Sequence, residues 1–426
     1  MANIIAKTTG YVVRQAALGF YNSRLYSGLI EKKYDDTFAD KAVKKGSQIF
    51  VKRPSQYIVR VGATYAAQDI LDQQIPVTIG EQIGVDFEFS TREATLDMEA
   101  GRPNLDIQSA GSSIASFKDA EGLKVAADNA GYTIITTATP TLKNFLQAKA
   151  ILNKMLAPKN VSERFAVVGS DVETEIVNEV KVLYNSSAEI TKAIKEGVVT
   201  SMAGLNWTTS DLTYVRTNGA GGIGGLTIGA VIPGASTATK RAYYTASLAS
   251  NVSKITLAGA TPLASLAVGD TLEFASCFFV NQETKMTYAN KLQRKVLAIA
   301  GAVVDVEPIY PVISSPADAE ERGWAALANC TAFPANGSTV AVLGTSGTKY
   351  LVSIVQHKSA VNLTSVDLVM PEDVKAKDRI QVDGMSIRYL QTYANSSDTI
   401  PNRLDTLSVY TPICRPWIVA LETPLA

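Results

Sequence analysis

Between about residues 215 and 346 the composition of the chain changes, and that change constrains the fold more than any single motif does. From Thr217 to about Ser346 the chain is rich in Gly, Ala, Thr and Val and carries short β-type runs: KITLAG, DTLEFASCFFV, KVLAIAG, VVDVEPI and TVAVLG. Turn signals separate these runs at the spacing of an all-β barrel or sandwich. The flanks differ in kind, since residues 90–200 read as α/β and mixed character returns after 346. An all-β block therefore interrupts an α+β domain, which a compact domain tolerates when the ends of the insert lie close together.

The flanks can be read element by element. Residues 1–45 form a basic, partly helical arm with no strand alternation. Two β-prone arms follow, about Gln48–Val61 and Gln74–Phe89, around a tip of Gly, Ala, Gln and Asp. In the second arm Val85, Phe87 and Phe89 alternate with Asp86, Glu88 and Ser90, the pattern of a half-buried strand with an acidic outer face. In the first, Tyr57, Val59 and Val61 alternate with Gln56, Ile58 and Arg60. The expectation is a long hairpin with oppositely charged arms, which Pro54 and Pro76 confine to edge positions. Residues 103–130 place Ile107, Ala110, Ile114, Phe117, Ala120, Leu123, Ala127 and Ala130 at helical spacing behind a first-turn proline. A second helix follows Pro140 with Leu142, Phe145, Leu152 and Met155 inward, then a strand at Arg164–Val168. Ser170 and Glu173 have capping-box spacing at the start of a third helix.

Charge bears on partners. The 40 lysines and arginines equal the 40 aspartates and glutamates, so the chain carries no net charge at neutral pH. That balance disfavours wholesale nucleic-acid binding, which needs an excess of cations, and suits a molecule that packs against copies of itself. The first 60 residues are basic and the stretch to about 130 is acidic.

Recognisable enzyme chemistry is absent. Gly219, Gly221 and Gly224 make a G-x-G-x-x-G, but strand-like LTIGAVIPG follows, and no acid occurs between Asn218 and Lys240. A dinucleotide site needs a helix there and an acidic residue about twenty positions on. The glycines are instead expected to form a flexible junction where one domain gives way to another. His357 is the single histidine, and Cys277, Cys330 and Cys414 have neither metal nor disulfide spacing. No G-x-S-x-G, Cys-x-x-Cys or H-E-x-x-H is present. No cofactor or metal is expected. The first twenty residues lack a signal peptide's apolar core, and VLAIAGAVV (296–304), the longest apolar run, is too short to span a bilayer. A soluble protein made in the cytosol is expected.

The order of basic arm, hairpin, VDFEFS strand, long helix, α/β segment, β insert and C-terminal strands resembles the major capsid proteins of tailed bacteriophages, with the HK97-like fold. More narrowly it resembles the coat proteins of short-tailed phages (podoviruses) that carry an inserted β-barrel I-domain. The stretches that carry the likeness are GSQIFVKRPSQYIVRVGATYAAQDILDQQIPVTIGEQIGVDFEFS, EGVVTSMAGLNWTTSDLTYVRTNG, VGDTLEFASCFFVNQETKMTYANKLQRKVL and DGMSIRYLQTYANSSDTIPNRLDTL.

The resemblance implies an N-arm (1–45), an E-loop (46–83), a P-domain with a spine helix (84–134 and 392–426), an A-domain (135–215 and 347–391) and an all-β barrel I-domain (216–346). It also implies a homo-oligomer of pentamers and hexamers, built around a scaffolding protein into a procapsid with a portal vertex in the host bacterial cytoplasm. The icosahedral shell would enclose double-stranded DNA without sequence-specific binding, and no membrane would be involved. Alternative readings are the shell of a cellular nanocompartment of the same fold and a β-rich phage tail protein. Lys52, Arg53 and Arg60 match the family's basic E-loop positions and would meet Asp86, Glu88, Glu93 or Asp97 of a neighbouring subunit. Arg14, Arg24, Lys32 and Lys33 are candidates for an acidic scaffolding partner.

Overall fold

The structure is a computed structural model that describes residues 9–35, 48–53, 55–92, 102–182, 201–219, 226–229, 237–259, 265–372 and 374–425. These divide into two compact units: Met1–Ile49 with Val77–Leu123 and Val361–Thr411, and Phe50–Pro76 with Lys124–Ala360 and Pro412–Ala426.

The first unit is organised on the long helix Arg102–Asp128, close to the span that periodicity predicts. Ile107, Ala110, Ile114 and Leu123 are buried along it, whereas Phe117 is 57% exposed. At that level the inward positions are Ala115, Lys118 and Asp119, two of them charged, so an apolar count sets the face wrongly there. Both charges are partnered. Lys118 donates to the Ser408 carbonyl at 2.9 Å and to Glu121 at 2.7 Å. Asp119 accepts the amides of Ser27 at 2.9 Å, Tyr26 at 3.2 Å and Leu25, capping the short helix Tyr26–Leu29.

The amino-terminal arm is therefore no free limb over its described length. Its helix, Thr9–Ser23, crosses the long helix at backbone distance. A Cβ on Gly19 would strike the Gln108 carbonyl, and one on Gly111 the Ala16 carbonyl. Ala16, Ala17 and Phe20 are buried. The chain then adds the strand Glu31–Asp35, parallel to Val361–Val366, at the edge of a sheet that continues through Thr399–Pro412, Met385–Gln391 and Ala376–Val382.

The predicted hairpin also resolves differently. Gln48–Lys52 pairs with Gln74–Thr78, residues 57–73 carry no regular strand, and Gln82–Ser90 pairs antiparallel with Thr399–Pro412, Val85 opposite Leu404 and Phe89 opposite Ile400. The half-buried strand with exposed Asp86 and Glu88 is as the alternation requires.

In the second unit seven strands among the described residues form one sheet, centred on Lys349–His357. On one side lie Ile418–Pro424 and then Tyr132–Ile135; on the other Arg164–Val168, Leu205–Thr209 and Ser201–Met202. Helix Leu142–Lys154 packs Phe145, Ala148 and Leu152 against Ala166, Trp207 and Val355, and helix Ser170–Val182 adds Val172 and Ile176. The Ser170 hydroxyl donates to Asp211.

The insert leaves and rejoins this sheet at one place. Val215–Thr217 pairs with the start of the central strand, Arg216 opposite Tyr350 and Thr217 opposite Lys349. Between them lie two sheets, one from Thr227–Ile228, Ser253–Ala258, Val303–Val306 and Ala298–Ala300, the other from Thr287–Lys295, Thr271–Val280 and Val340–Val342. Leu257, Leu272, Phe274, Phe279, Val304 and Val340 share their core. The block is not all-β: it contains helices Thr237–Ser250 and Ala319–Ala326. The second has a side-chain cap, with Asp318 accepting the Glu321 amide at 2.8 Å and Glu321 accepting the Ala317 amide at 2.8 Å.

Four buried charges tie the insert to the sheet. Arg216 bonds Asp270 at 2.7 Å and Glu422 at 2.6 Å, and Lys295 bonds Glu422 at 2.6 Å. Asp270 also accepts the Gly219 and Ala267 amides at 3.1 and 2.9 Å, and Lys295 donates to the Gly269 carbonyl at 2.9 Å. Burial pushes the Glu422 carboxyl up, but Lys295 and Arg216 outweigh it and hold it below the usual glutamate range. A depressed folded pKa means stability that is full above the unfolded value, about 4.3, and is lost as pH falls through the folded one. Glu422→Gln leaves one buried positive charge uncompensated, since Lys295 loses its carboxylate while Arg216 keeps Asp270, and should cost about 3–5 kcal/mol in denaturant unfolding at neutral pH. Below about pH 4 the variant should lose less further stability than the parent.

Candidate intersubunit surfaces

Loop 50–73 and its short stem carry the three basic positions singled out above. The stem continues past the strands through the Arg53 amide on the Gln73 carbonyl at 2.9 Å. Lys52 meets Asp72 at 3.1 Å, both well exposed. Arg53 donates to the Gln73 side chain at 3.2 Å. Arg60 folds back on the carbonyls of Gly62 and of Thr64, the latter at 2.6 Å. Across the loop, the Ile58 amide donates to Gln68 at 3.0 Å and Gln68 donates back to the Ile58 carbonyl at 3.3 Å. The basic positions thus have partners in their own loop.

The loop also leaves large apolar side chains uncovered. Val59 is 83% exposed, Tyr65 84% and Val61 97%, with Tyr57 and Ile70 also in the open. Contiguous exposed apolar surface marks an interaction site. Alternation of Tyr57, Val59 and Val61 predicts a hairpin strand here; the structure forms none and leaves all three exposed. The missed signal is Ile58 between them, since a run apolar on both faces asks for more partners than one chain supplies.

The acidic candidates lie on strand Gln82–Ser90, where Asp86 and Glu88 point to solvent; Glu93 and Asp97 lie outside the described residues. Arg403 stands 3.7 Å from Asp86 but bonds Asp405 at 2.7 Å, where Arg388 also donates at 2.7 Å. Burial raises the Asp405 pKa, but the two arginines outweigh it and hold the carboxyl low. Arg403 is thereby committed, and Asp86 remains open to another cation.

Of the four remaining cations, the structure brings two together. Arg24 and Lys32 converge on Asp383, beside the turn that joins Ala376–Val382 to Met385–Gln391. Arg14 is exposed on helix Thr9–Ser23, and Lys33 stands opposite Thr364 in the sheet. Asp383 was not singled out by sequence; the Asp-Gly dipeptide between two strand-like runs is the signal that finds it.

His357 is buried edge-on to Trp417, 5.4 Å between ring centres, and accepts the Ser359 amide at 3.2 Å. Cys277 and Cys330 sit in the insert's core, where burial pushes the Cys330 thiol up to about 12. Gly219 is no loose hinge: its amide holds Asp270, and a Cβ there would strike the Ser265 carbonyl. Gly221 and Gly224 lie outside the described residues, and the next described element is a strand, Thr227–Ile228. Among the described residues no three His, Cys, Asp or Glu side chains form a metal-holding group, and no helix is long and apolar enough to cross a membrane.

Sequence comparison supplies the family. The profile of the P22 coat protein family (P22 coat protein, gene protein 5) matches residues 1–419. The chain belongs to that family. It is a capsid coat protein, a structural component of the virion. No curated protein is significantly similar to it in sequence. Among solved structures, this coat protein is similar to the capsid of cyanophage P-SCSP1u (11% identity, TM-score 0.46, 93% of this chain and 87% of that one). It is also similar to the mature capsid of bacteriophage PhiM1 (10%, 0.46, 94% and 87%) and to the SrpI encapsulin of Synechococcus elongatus PCC 7942 (7%, 0.39, 92% and 85%).

The shared carboxylate gives a local test. Asp383→Asn removes the common partner of Arg24 and Lys32, and at this partly exposed site should cost about 0–1 kcal/mol in chemical denaturation. The loss should shrink in high salt.

Proposed function

We propose that the chain is the major capsid subunit of a tailed phage head, forming pentamers and hexamers of an icosahedral shell around double-stranded DNA. Assembly runs through a procapsid with a scaffolding protein and a portal vertex. The observation that carries this reading is the coat-protein family match over nearly the whole chain. The apolar, solvent-exposed tip of loop 50–73 supports it, since such a surface calls for a partner. Zero net charge supports it too, because many identical copies pack without accumulating repulsion.

In this reading 1–45 serves as N-arm, 46–83 as E-loop, 84–134 with 392–426 as P-domain, 135–215 with 347–391 as A-domain and 216–346 as I-domain. The paired ends of the insert, Thr217 opposite Lys349, support the last assignment. Lys52, Arg53 and Arg60 meet Asp86, Glu88, Glu93 or Asp97 of an adjacent subunit, each exposed pair contributing about 0–1 kcal/mol. Arg14, Arg24, Lys32 and Lys33 are the candidate contacts for an acidic scaffolding partner, Arg24 and Lys32 by exchanging Asp383 for it. The subunit makes and breaks no covalent bond.

Electron microscopy of the chain co-expressed with its scaffold tests the whole: closed shells are expected, and soluble monomers alone would refute it. Lys52→Glu with Arg60→Glu tests the charge pairing. Both side chains are exposed, so the subunit should keep its unfolding midpoint while the yield of closed shells falls at least tenfold. Undiminished shell yield would reject the pairing.

A further inference from the structure

Loop 50–73 is bare at its tip and yet held at its base by the insert of the same chain. The Asp69 amide donates to the Ala319 carbonyl at 3.0 Å, at the start of helix Ala319–Ala326. Arg322 on that helix donates through Nε to the Ala67 carbonyl at 2.7 Å. Gln56 donates to Gln282 of the insert at 3.1 Å. Leu71 packs on the aromatic cluster of Tyr244, Tyr310, Trp324 and Leu327.

Gly323 makes the approach possible. A Cβ at this position would lie 2.8 Å from the Asp69 carbonyl oxygen and 3.3 Å from Leu71. Gly323 is buried in mid-helix, where alanine is the better helix former, so the helix gains nothing from glycine there. The loop backbone does.

We propose that helix Ala319–Ala326 is the seat of loop 50–73: it fixes residues 67–71 on the subunit's own insert so that Tyr57, Val59, Val61 and Tyr65 are presented in one arrangement to a second copy of the chain. The inference deepens the capsid reading and rests on it for the identity of the partner. An ordered loop loses less freedom on docking than a free one, which strengthens each contact without adding any. The insert then acts on assembly through the loop it holds as well as through any surface of its own.

Hydrogen exchange on the unassembled subunit tests the seat. The Asp69 amide should exchange at least tenfold more slowly than amides of 59–65. Gly323→Ala should bring it to the rate of the tip while strand Thr271–Val280 keeps its protection, and Leu71→Ala should do the same from the loop side. An Asp69 amide as fast as the tip in the parent, or unchanged by both substitutions, overturns the seat. Shell assembly is read separately with scaffold present. Slower assembly of both variants, with the parent forming shells, is the expected result. Released loops with unimpaired assembly would overturn presentation, whereas a parent that forms no shells refutes the capsid reading and leaves the exchange result standing.

Discussion

Glu422 sits between two cations from different parts of the chain, and the second unit depends on that arrangement. Arg216 comes from the strand that leads into the insert, and Lys295 and Asp270 come from the insert itself. Glu422 is on the last strand of the chain, beside the central one. The four charges sum to zero, and Asp270 and Lys295 make further hydrogen bonds to backbone groups of 219, 267 and 269. Such a network adds little stability over apolar residues of equal volume, because desolvation offsets the attraction. What it adds is exclusivity. An insert docked one residue out of register would bury an unpaired charge, so the arrangement specifies position more than strength.

A fixed insert is what allows a held loop. Helix Ala319–Ala326 can position residues 67–71 only as well as the insert is itself positioned on its sheet. The adjoining contacts reinforce this: Thr133 meets Gln293 through its amide and Thr271 through its hydroxyl, both at 3.0 Å. The aromatic group of Tyr244, Tyr310 and Trp324 is rigid for its size, which suits it to receive Leu71. Order is passed from buried charges to a β core, from the core to a short helix, and from the helix to a loop with little structure of its own.

Much of this was legible in advance, and the exceptions share a cause. Strand Arg164–Val168, the long helix, the half-buried strand with Asp86 and Glu88 outward and most strands of the insert follow from local periodicity alone. Phe117 falls by its spacing on the helix's inward stripe and is exposed, and Val59 and Val61 alternate as in a strand but lie bare on an irregular loop, because periodicity says which residues share a face and not whether anything covers it. The helix at 319 was missed although Asp318 and Glu321 spell its cap, since its apolar face is mostly alanine. The buried network was beyond reach: Arg216, Asp270, Lys295 and Glu422 span some two hundred positions, and nothing local distinguishes them from surface charges. The basic loop positions could be found as charges, but their own-chain partners could not.

The division between buried and exposed charge is also a division of labour. Buried pairs are costly to break one partner at a time, so they set a single subunit shape. Exposed pairs such as Lys52 with Asp72 contribute little and exchange partners readily, as a contact that must form, loosen and re-form requires. A shell multiplies whatever each interface contributes, so moderate contacts between rigid subunits accumulate into a durable assembly. In the proposed contact between subunits, apolar residues at the loop tip supply salt-independent attraction, and the surrounding charges supply the register. The exposed tip carries a cost, since it is the surface through which a free subunit would aggregate. Holding the loop at its base limits that cost by restricting the geometries in which one tip can reach another chain.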